Sequence, residues 1–501
     1  MKIINSLSEL TQESADLFRK LNKVDQEALR KAGIEMATGL TAYDLQAPAK
    51  QLFPVLTPLR NVIPRVNGGG GTATNWKRVT AINTARLRAG VPEGTRNGVM
   101  AITVDNKSAN YASLGMEDSI TFEAEDSAKG FEDIRATQAQ RLLWATMLEE
   151  EIFDLGGNLN VALGTPTAPT VTVVNGGGTV ADDATGYSVK VVALSHHGAD
   201  ASSVSAGVIG EVSVTPADGS AAFTYGGGSS AASSGSATGA VANGGDSIIR
   251  ASTPIVNGAV AYAWYVGVTG GNLLLQAITN INSVELLALV TSGRQNVTAI
   301  TADNSQNDLG YDGLLYHAFT SGSNAYIKDM ATGTPGAGTG LTASGKGTID
   351  EIDAMIESMW DSYKIIPDKI YTSAQEIGNI ASKIFGGTAN GALRYTVPLQ
   401  GEEMVLSAGI SKIKYQSLLG RVIPIEVHPN MPKGTLLGLA SALPYPISNV
   451  PNVFEKRLQR DYMQYEWPLR TRKYESGVYT RGVLAHYFPP SLGVIRNIAD
   501  A

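Results

Sequence analysis

Apolar residues recur at helical spacing from Ile349 onward, at Ile352, Met355, Ile356, Met359, Trp360 and Tyr363. That period predicts an amphipathic helix with one buried face. Thr348 and Glu351 read as its capping box, and Pro367 lies just past its end. "DKIYTS" then reads as a strand. Ser373 and Glu376 read as a second capping box. Ile377, Ile380, Ala381, Ile384 and Phe385 follow as a second apolar face, which Gly386 and Gly387 close. "RVIPIEV", "GTLLGLA" and the closing "PLRTRKYESGVYTRGVLAHYFPPSLGVIRNI" read as strands. Helix, strand, helix and further strands predict an α+β layer.

The longest helical pattern is "SAKGFEDIRATQAQRLLWATMLEEEIFDLGG", about residues 127–155. At about 1.5 Å per residue it spans roughly 40 Å. Glu132 and Asp133 suit its start, and Gly156 and Gly157 its stop. Phe131, Ile134, Leu142, Ala145, Ile152 and Phe153 share one side, while Leu143, Trp144, Met147 and Leu148 point elsewhere. A helix apolar on several sides has several neighbours. Glu149, Glu150 and Glu151 oppose the macrodipole at this end, so they are expected to face basic residues.

Upstream, helices are expected over 7–20 and 24–35. "LFPVLTPLRNVIPRV" contains three prolines and reads as extended. "NGGGGTATNWKRVTAIN", "GVPEGTRNGV" and "MAITVDNKSANYASLGM" then predict a long two-stranded excursion with glycine-rich tips. Trp76, Val79, Ile82 and Tyr111 are too few to build a core. A lone hairpin is marginal in water, so it needs a surface to lie on.

The pattern changes again in the middle. Residues 161–300 hold only three basic residues, Lys190, Arg250 and Arg294, so this stretch differs in kind from its flanks. Short β-patterned runs recur there: "GYSVKVVALS", "GEVSVT", "AVAYAWYVGV" and "NLLLQAI". They predict an all-β sandwich of immunoglobulin or fibronectin type III character. "YGGGSSAASSGSATGAVANGG" (225–245) reads as a flexible low-complexity loop. The segment reads as a domain inserted into a host domain.

Composition narrows the function. With 501 residues, 43% of them hydrophobic and 17% charged, the chain is globular and long enough for two or three domains. A net charge of −7 argues against a global grip on nucleic acid. The absence of cysteine removes disulfides, Cys-zinc sites and thiol nucleophiles. The first residues lack the apolar core of a signal peptide, and no stretch reaches the roughly 18 apolar residues of a membrane span. Synthesis in the cytoplasm and no membrane partner are expected.

Catalytic signals are weak. His196–His197 lacks partners at ligand spacing, which favours a solvated turn over a metal site. There is no G-x-S-x-G elbow. "GTPGAGTGLTASGKGT" (333–348) has G-K-G where a phosphate loop needs G-K-[ST], so it reads as a mobile loop. No enzyme activity and no cofactor are expected. Arg457, Arg460, Arg470, Arg472, Lys473 and Arg481 cluster late in the chain. They are expected to pair across subunits with Glu149–Glu151 and Glu93, or to touch DNA without reading bases.

In order, the flanks resemble the major capsid protein of tailed bacteriophages, the Hong Kong 97-like fold. "LFPVLTPLRNVIPRVNGGGGTATNWKRV" is similar to an N-terminal arm leading into an extended E-loop. The helix at about 127–155 stands where that family has its spine helix. "GTIDEIDAMIESMWDSYKIIPDKIYTSAQEI" resembles the peripheral-to-axial region, and "RKYESGVYTRGVLAHYFPPSLGVIRNI" the closing strands. The resemblance covers about 45–160 and 305–498. It implies an α+β fold divided as 1–65 N-terminal helices and arm, 66–115 E-loop hairpin, 116–160 spine-helix region, 161–300 inserted sandwich and 301–501 peripheral and axial core.

The same resemblance implies a structural subunit that assembles into hexamers and pentamers of an icosahedral shell in the virion. Double-stranded DNA would be packaged non-specifically, with scaffold, portal or decoration proteins as further partners. The expected subunit contacts are Trp76, Lys77, Arg78, Glu93, Glu149, Glu150, Arg470, Arg472 and Lys473. The covalent cross-link of one branch needs a Lys–Asn pair, for which Lys77 and Lys107 are candidates by location only. A second function class is an adhesin holding carbohydrate through the sandwich.

Overall fold

The computed structural model describes residues 56–82, 90–97, 102–130, 133–344, 348–386, 412–416, 420, 422–445 and 451–500. The expected helices at 7–20 and 24–35 lie outside them. The first elements are β1 (Arg65–Asn67), β2 (Ala73–Ile82), β3 (Ile102–Asn110), β4 (Ala112–Thr121), α1 (Phe122–Ala128) and α2 (Ile134–Gly156). There follow β5 (Thr170–Val180), β6 (Tyr187–Leu194), α3 (His196–Ala201), β7 (Glu211–Val214), β8 (Phe223–Gly226) and β9 (Ser236–Ala237). Next come β10 (Ser247–Ser252), β11 (Ala261–Val268), β12 (Leu274–Thr279), β13 (Ser283–Leu286), α4 (Leu314–Phe319) and β14 (Tyr326–Asp329). The rest are α5 (Asp350–Tyr363), β15 (Lys369–Thr372), α6 (Ala374–Gly386), β16 (Lys412–Gln416), β17 (Val422–Val427), β18 (Leu436–Leu439), β19 (Phe454–Glu466), β20 (Lys473–His486) and β21 (Leu492–Arg496). The chain divides into two compact units, one containing 117–142 and 464–477, the other 55–116, 143–463 and 478–501.

In the larger unit a six-stranded mixed sheet runs β14-β21-β18-β15-β17-β16. Helix α5 lays Ile352, Met355, Ile356 and Met359 into the core this sheet shares with Leu436, Leu437, Val494 and Ile495. Gly438 and Gly493 face each other in the β18–β21 register. A Cβ on Gly493 would lie 2.5 Å from the Met355 sulfur, and one on Gly438 2.9 Å from its methyl carbon. The helix therefore packs this close only because both positions lack side chains. The expected face holds except at Trp360, which is 36% exposed. Helix α5 ends at Lys364, in the left-handed region at φ 59°.

Its expected capping box does not form. The helix starts after Ile349, Thr348 pairs with Ser344, and Glu351 instead accepts from Thr342 N at 2.9 Å. At α6 half the box forms, since Glu376 N donates to Ser373 Oγ at 3.3 Å. The Glu376 carboxylate turns away to accept from Gly434 N. The single helix expected over 127–155 is two, α1 and α2, and Asp133 accepts from Ala136 N at the start of the second.

Residues 170–286 build two facing sheets, β13-β10-β5 and β12-β11-β6-β9. The period of two along β11 decides which core each residue enters. Tyr262, Trp264 and Val266 meet Ile249, Ala251 and Val284 of the opposite sheet. Ala261, Ala263 and Tyr265 face outward from that sheet pair onto Val208, Val297 and Ile300. A sheet buried on both faces explains the unbroken apolar run "AVAYAWYVGV".

The serine-rich stretch is not a flexible loop, because it completes the edge of β6. Ser230 N donates to Ala193 O (2.9 Å) and Ser230 Oγ accepts from Ala193 N (2.8 Å). Ser233 does the same with Val191, at 2.9 Å in both directions. Two hydroxyls thus stand in for the carbonyls of a missing strand, and only short side chains fit so close to the ladder. The glycine-rich stretch is also ordered over 333–344. Gly338 N donates to Thr334 O at 2.9 Å, and Gly336 N to Ser283 Oγ at 3.0 Å.

Nor is His196 in a solvated turn. It is buried at the start of α3, with Nε2 2.7 Å from Asn430 O, and burial lowers its pKa to about 4.

Candidate functional site: a buried charge cluster

Helix α2 ends in "EEEIFDLG", and its last turns sit inside the larger unit. A helix C-terminus disfavours acids, so these carboxylates need cations or N–H donors. Glu151 is fully buried, and three donors converge on it. Leu59 N and Arg60 N each donate at 2.7 Å, and His428 Nε2 lies 2.7 Å from Oε1. Glu150, also fully buried, accepts two bonds from Arg65 Nη1 at 2.9 and 3.0 Å. Arg60 Nε and Lys456 Nζ each lie 3.4 Å from it, and Tyr462 OH donates to it. Arg60 and Arg65 both stack over the Tyr462 ring, at 5.1 and 4.9 Å.

One turn further on, Asp154 Oδ1 is 2.6 Å from Lys456 Nζ and accepts from Tyr311 OH at 2.8 Å. Lys456 Nζ sits 3.8 Å above the Tyr311 ring centre. Side-chain exposure is 2% for Lys456 and 1% for Asp154, so water is all but excluded. Burial drives the Asp154 carboxyl up to about 6, against the pull of Lys456. Burial pushes Glu150 the same way, but Lys456 and Arg65 outweigh it and hold that carboxyl below its ordinary value. Burial, then Asp154 and Glu150, raise the Tyr311 phenol well above its ordinary range. Five segments distant in the chain meet here: the stretch that leads into β1, the end of α2, the loop carrying Tyr311, the turn after β17 and strand β19. The first of them, expected to be extended, instead folds into turns, with Ile63 N donating to Leu59 O at 2.8 Å.

The expected contact residues fall differently. Glu150, expected to pair across subunits, is bonded within the chain to Arg65, Lys456 and Tyr462. Arg457 likewise stays in the chain, bonded to Glu455, Thr74, Asn75 and Tyr487. Trp76 is buried, its Nε1 donating to His486 O at 3.2 Å. Arg78 is buried and pairs with Asp105 at 2.8 Å. Lys77 and Glu93 are exposed, and Glu149 is half-buried, its carboxyl raised by burial. In the smaller unit Arg470, Arg472 and Lys473 are exposed, and Arg472 pairs with Glu123 at 2.5 Å. Behind Arg78, burial lowers the pKa of His317 and His486, and neither ring nitrogen of His486 has a partner.

Sequence reasoning flagged the three glutamates but missed Arg60, Arg65, Lys456, Asp154, Tyr311 and His428. Among the described residues no His, Cys, Asp and Glu group is arranged to hold a metal ion, and no helix is long and apolar enough to cross a membrane.

No protein-family model matches the chain, and no curated protein matches it. Among solved structures it is similar to the capsid of Myoviridae phage XM1, at 10% identity over 89% of this chain and 92% of that one, TM-score 0.36. It is similar to the capsid of cyanophage A-1(L), at 12% identity over 92% and 97%, TM-score 0.39. It is also similar to an encapsulin of Synechococcus elongatus, at 9% identity over 91% and 95%, TM-score 0.33. In this chain a turn-rich segment, a hairpin, a long helix, a helix-flanked mixed sheet and long returning strands follow one another. That is a mixed α+β architecture.

Proposed function

We propose that this chain is the major capsid subunit of a tailed phage, a structural protein that self-assembles into hexamers and pentamers of a closed shell. The observation that carries this reading is the β2–β3 hairpin. Among the described residues it is a sheet of two strands paired only with each other, with Ile102 50% and Val104 46% exposed along β3. Strand β2 rests on its own chain, with Val79 N donating to Tyr487 O at 2.8 Å, whereas most of β3 stays uncovered. A two-stranded ribbon showing large apolar side chains is finished by a second surface. Repeated contacts between identical copies supply one at every position of a closed shell.

Lys77, Glu93, Arg470, Arg472 and Lys473 are the proposed contacts with neighbouring copies. Packaged double-stranded DNA is held without base readout, scaffold or portal proteins act during assembly, and the virion is the site of action. The residue ranges 66–115, 116–160 and 161–300 serve as E-loop, spine region and inserted domain. The test is negative-stain microscopy of the purified full-length protein across a range of salt. Closed particles are expected, and only small monodisperse species under every condition would overturn the proposal. The adhesin reading loses ground because the sandwich is bonded into the body: Tyr316 OH accepts from His196 N and donates to Gly258 O.

A further inference from the structure

The Lys456–Asp154–Glu150 arrangement has a chemical capacity beyond holding the fold. A primary amine lies 2.6 Å from one carboxyl and 3.4 Å from a second, and the three side chains have 2%, 1% and 0% exposure. The amine also lies against the Tyr311 ring and hydroxyl. We propose that Lys456 and Asp154 condense into an intramolecular amide, with Glu150 as the base and Tyr311 as the donor to the carboxyl oxygen.

The step balances without a co-reactant. Glu150 takes a proton from the Lys456 ammonium, and the freed Nζ attacks Asp154 Cγ. Tyr311 OH, 2.8 Å from Oδ1, is placed to donate to the oxygen that gains charge in the tetrahedral intermediate. The departing oxygen then takes one proton from Glu150 and a second from the attacking nitrogen, and leaves as water. The new bond is Nζ–Cγ and the broken one is Cγ–O. In sum, one ammonium and one carboxylate become one amide and one water.

Three features favour this product over a standing ion pair. Contact fixes amine and carboxyl together, which removes the encounter entropy of a bimolecular reaction. Burial penalises both charges of the pair, and a neutral amide carries neither. A site closed to bulk water does not readily take back the water it releases. Burial also keeps Asp154 more readily protonated than an ordinary aspartate, and a neutral carboxyl is the better electrophile. The bond would tie α2 to β19 in a chain that has no cysteine for any other covalent staple.

The test is the intact mass of purified full-length protein, followed by a tryptic map. The expected result is a mass 18 Da below that of the sequence and a branched peptide joining the segments that carry 154 and 456. Glu150→Gln, checked for folding by circular dichroism, is expected to regain the sequence mass. Asp154→Asn is expected to lose 17 Da, since ammonia would then be the leaving group. Wild-type protein of full sequence mass, giving only linear peptides at 154 and 456, overturns the proposal whatever the variants do. A Glu150→Gln protein that still lacks 18 Da overturns the role given to Glu150.

Discussion

Three donors meet at Glu151, two of them backbone N–H groups of the segment just before β1. Removing that carboxylate strands all three in a dry interior. Glu151→Ala is therefore expected to destabilise by about 3–5 kcal/mol, the range for breaking a buried charged contact. Denaturant midpoints measure the loss, and faster hydrogen exchange at Leu59 and Arg60 locates it. Glu376 carries a second prediction at this scale. Burial raises its carboxyl to about 7 from the ordinary 4.5, opposed by Asn379 and the Gly434 N–H and reinforced by Asp500. A raised acid favours the folded state while protonated. Its contribution is therefore present below pH 4.5 and lost as pH rises to 7, by on the order of 3 kcal/mol. Melting temperatures of wild type and Glu376→Gln at pH 5 and pH 8 check the sign: the variant is expected to gain on wild type as pH rises.

Individual elements show how little propensity decides alone. Residues 229–237 have a linker's composition, yet Ser230 and Ser233 bond β6 through both backbone and hydroxyl. Replacing both serines with alanine leaves the Val191 and Ala193 N–H groups buried without acceptors. About 1–3 kcal/mol is expected for each, with faster exchange at those two amides. Strand β3 is the opposite case, regular but uncovered. Ile102→Asp with Val104→Asp is expected to leave the subunit folded and to block particle formation, read by circular dichroism and electron microscopy.

On the scale of the whole molecule, the sandwich and the mixed sheet of the larger unit share their bonding. Arg496 of β21 donates to Val256 O (3.1 Å) and pairs with Asp329 (2.6 Å). Asn282 N donates to Asn497 Oδ1 at 2.7 Å, and Asn282 Nδ2 to Thr332 at 2.8 Å. Replacing 161–300 with a Gly-Ser linker would leave Tyr316 without His196 and Gly258, Asn497 without Asn282, and Arg496 without the Val256 carbonyl. Loss of soluble folded protein is expected, in contrast to a module that merely decorates the body. Solubility and particle yield of the deletion measure it.

Period and punctuation in the chain determined the α+β class, the faces of α5 and α6, strands β15, β17, β18, β20 and β21, the two-stranded excursion and, in the middle, β6, β11 and β12. Local spacing and turn chemistry encode all of these, because each depends on neighbours a few residues away. The triple glutamate also announced a need for cations. Which cations answered it was decided by tertiary structure alone. Arg65 and Lys456 lie 85 and 306 positions from Glu150 along the chain, and nothing local joins them. The same holds for the serines beside β6 and for Glu351, whose carboxylate accepts from the Thr342 N–H instead of capping its own helix. Long-range packing chose among partners that the sequence left equally open, since burial makes an unpaired charge or N–H too costly to keep.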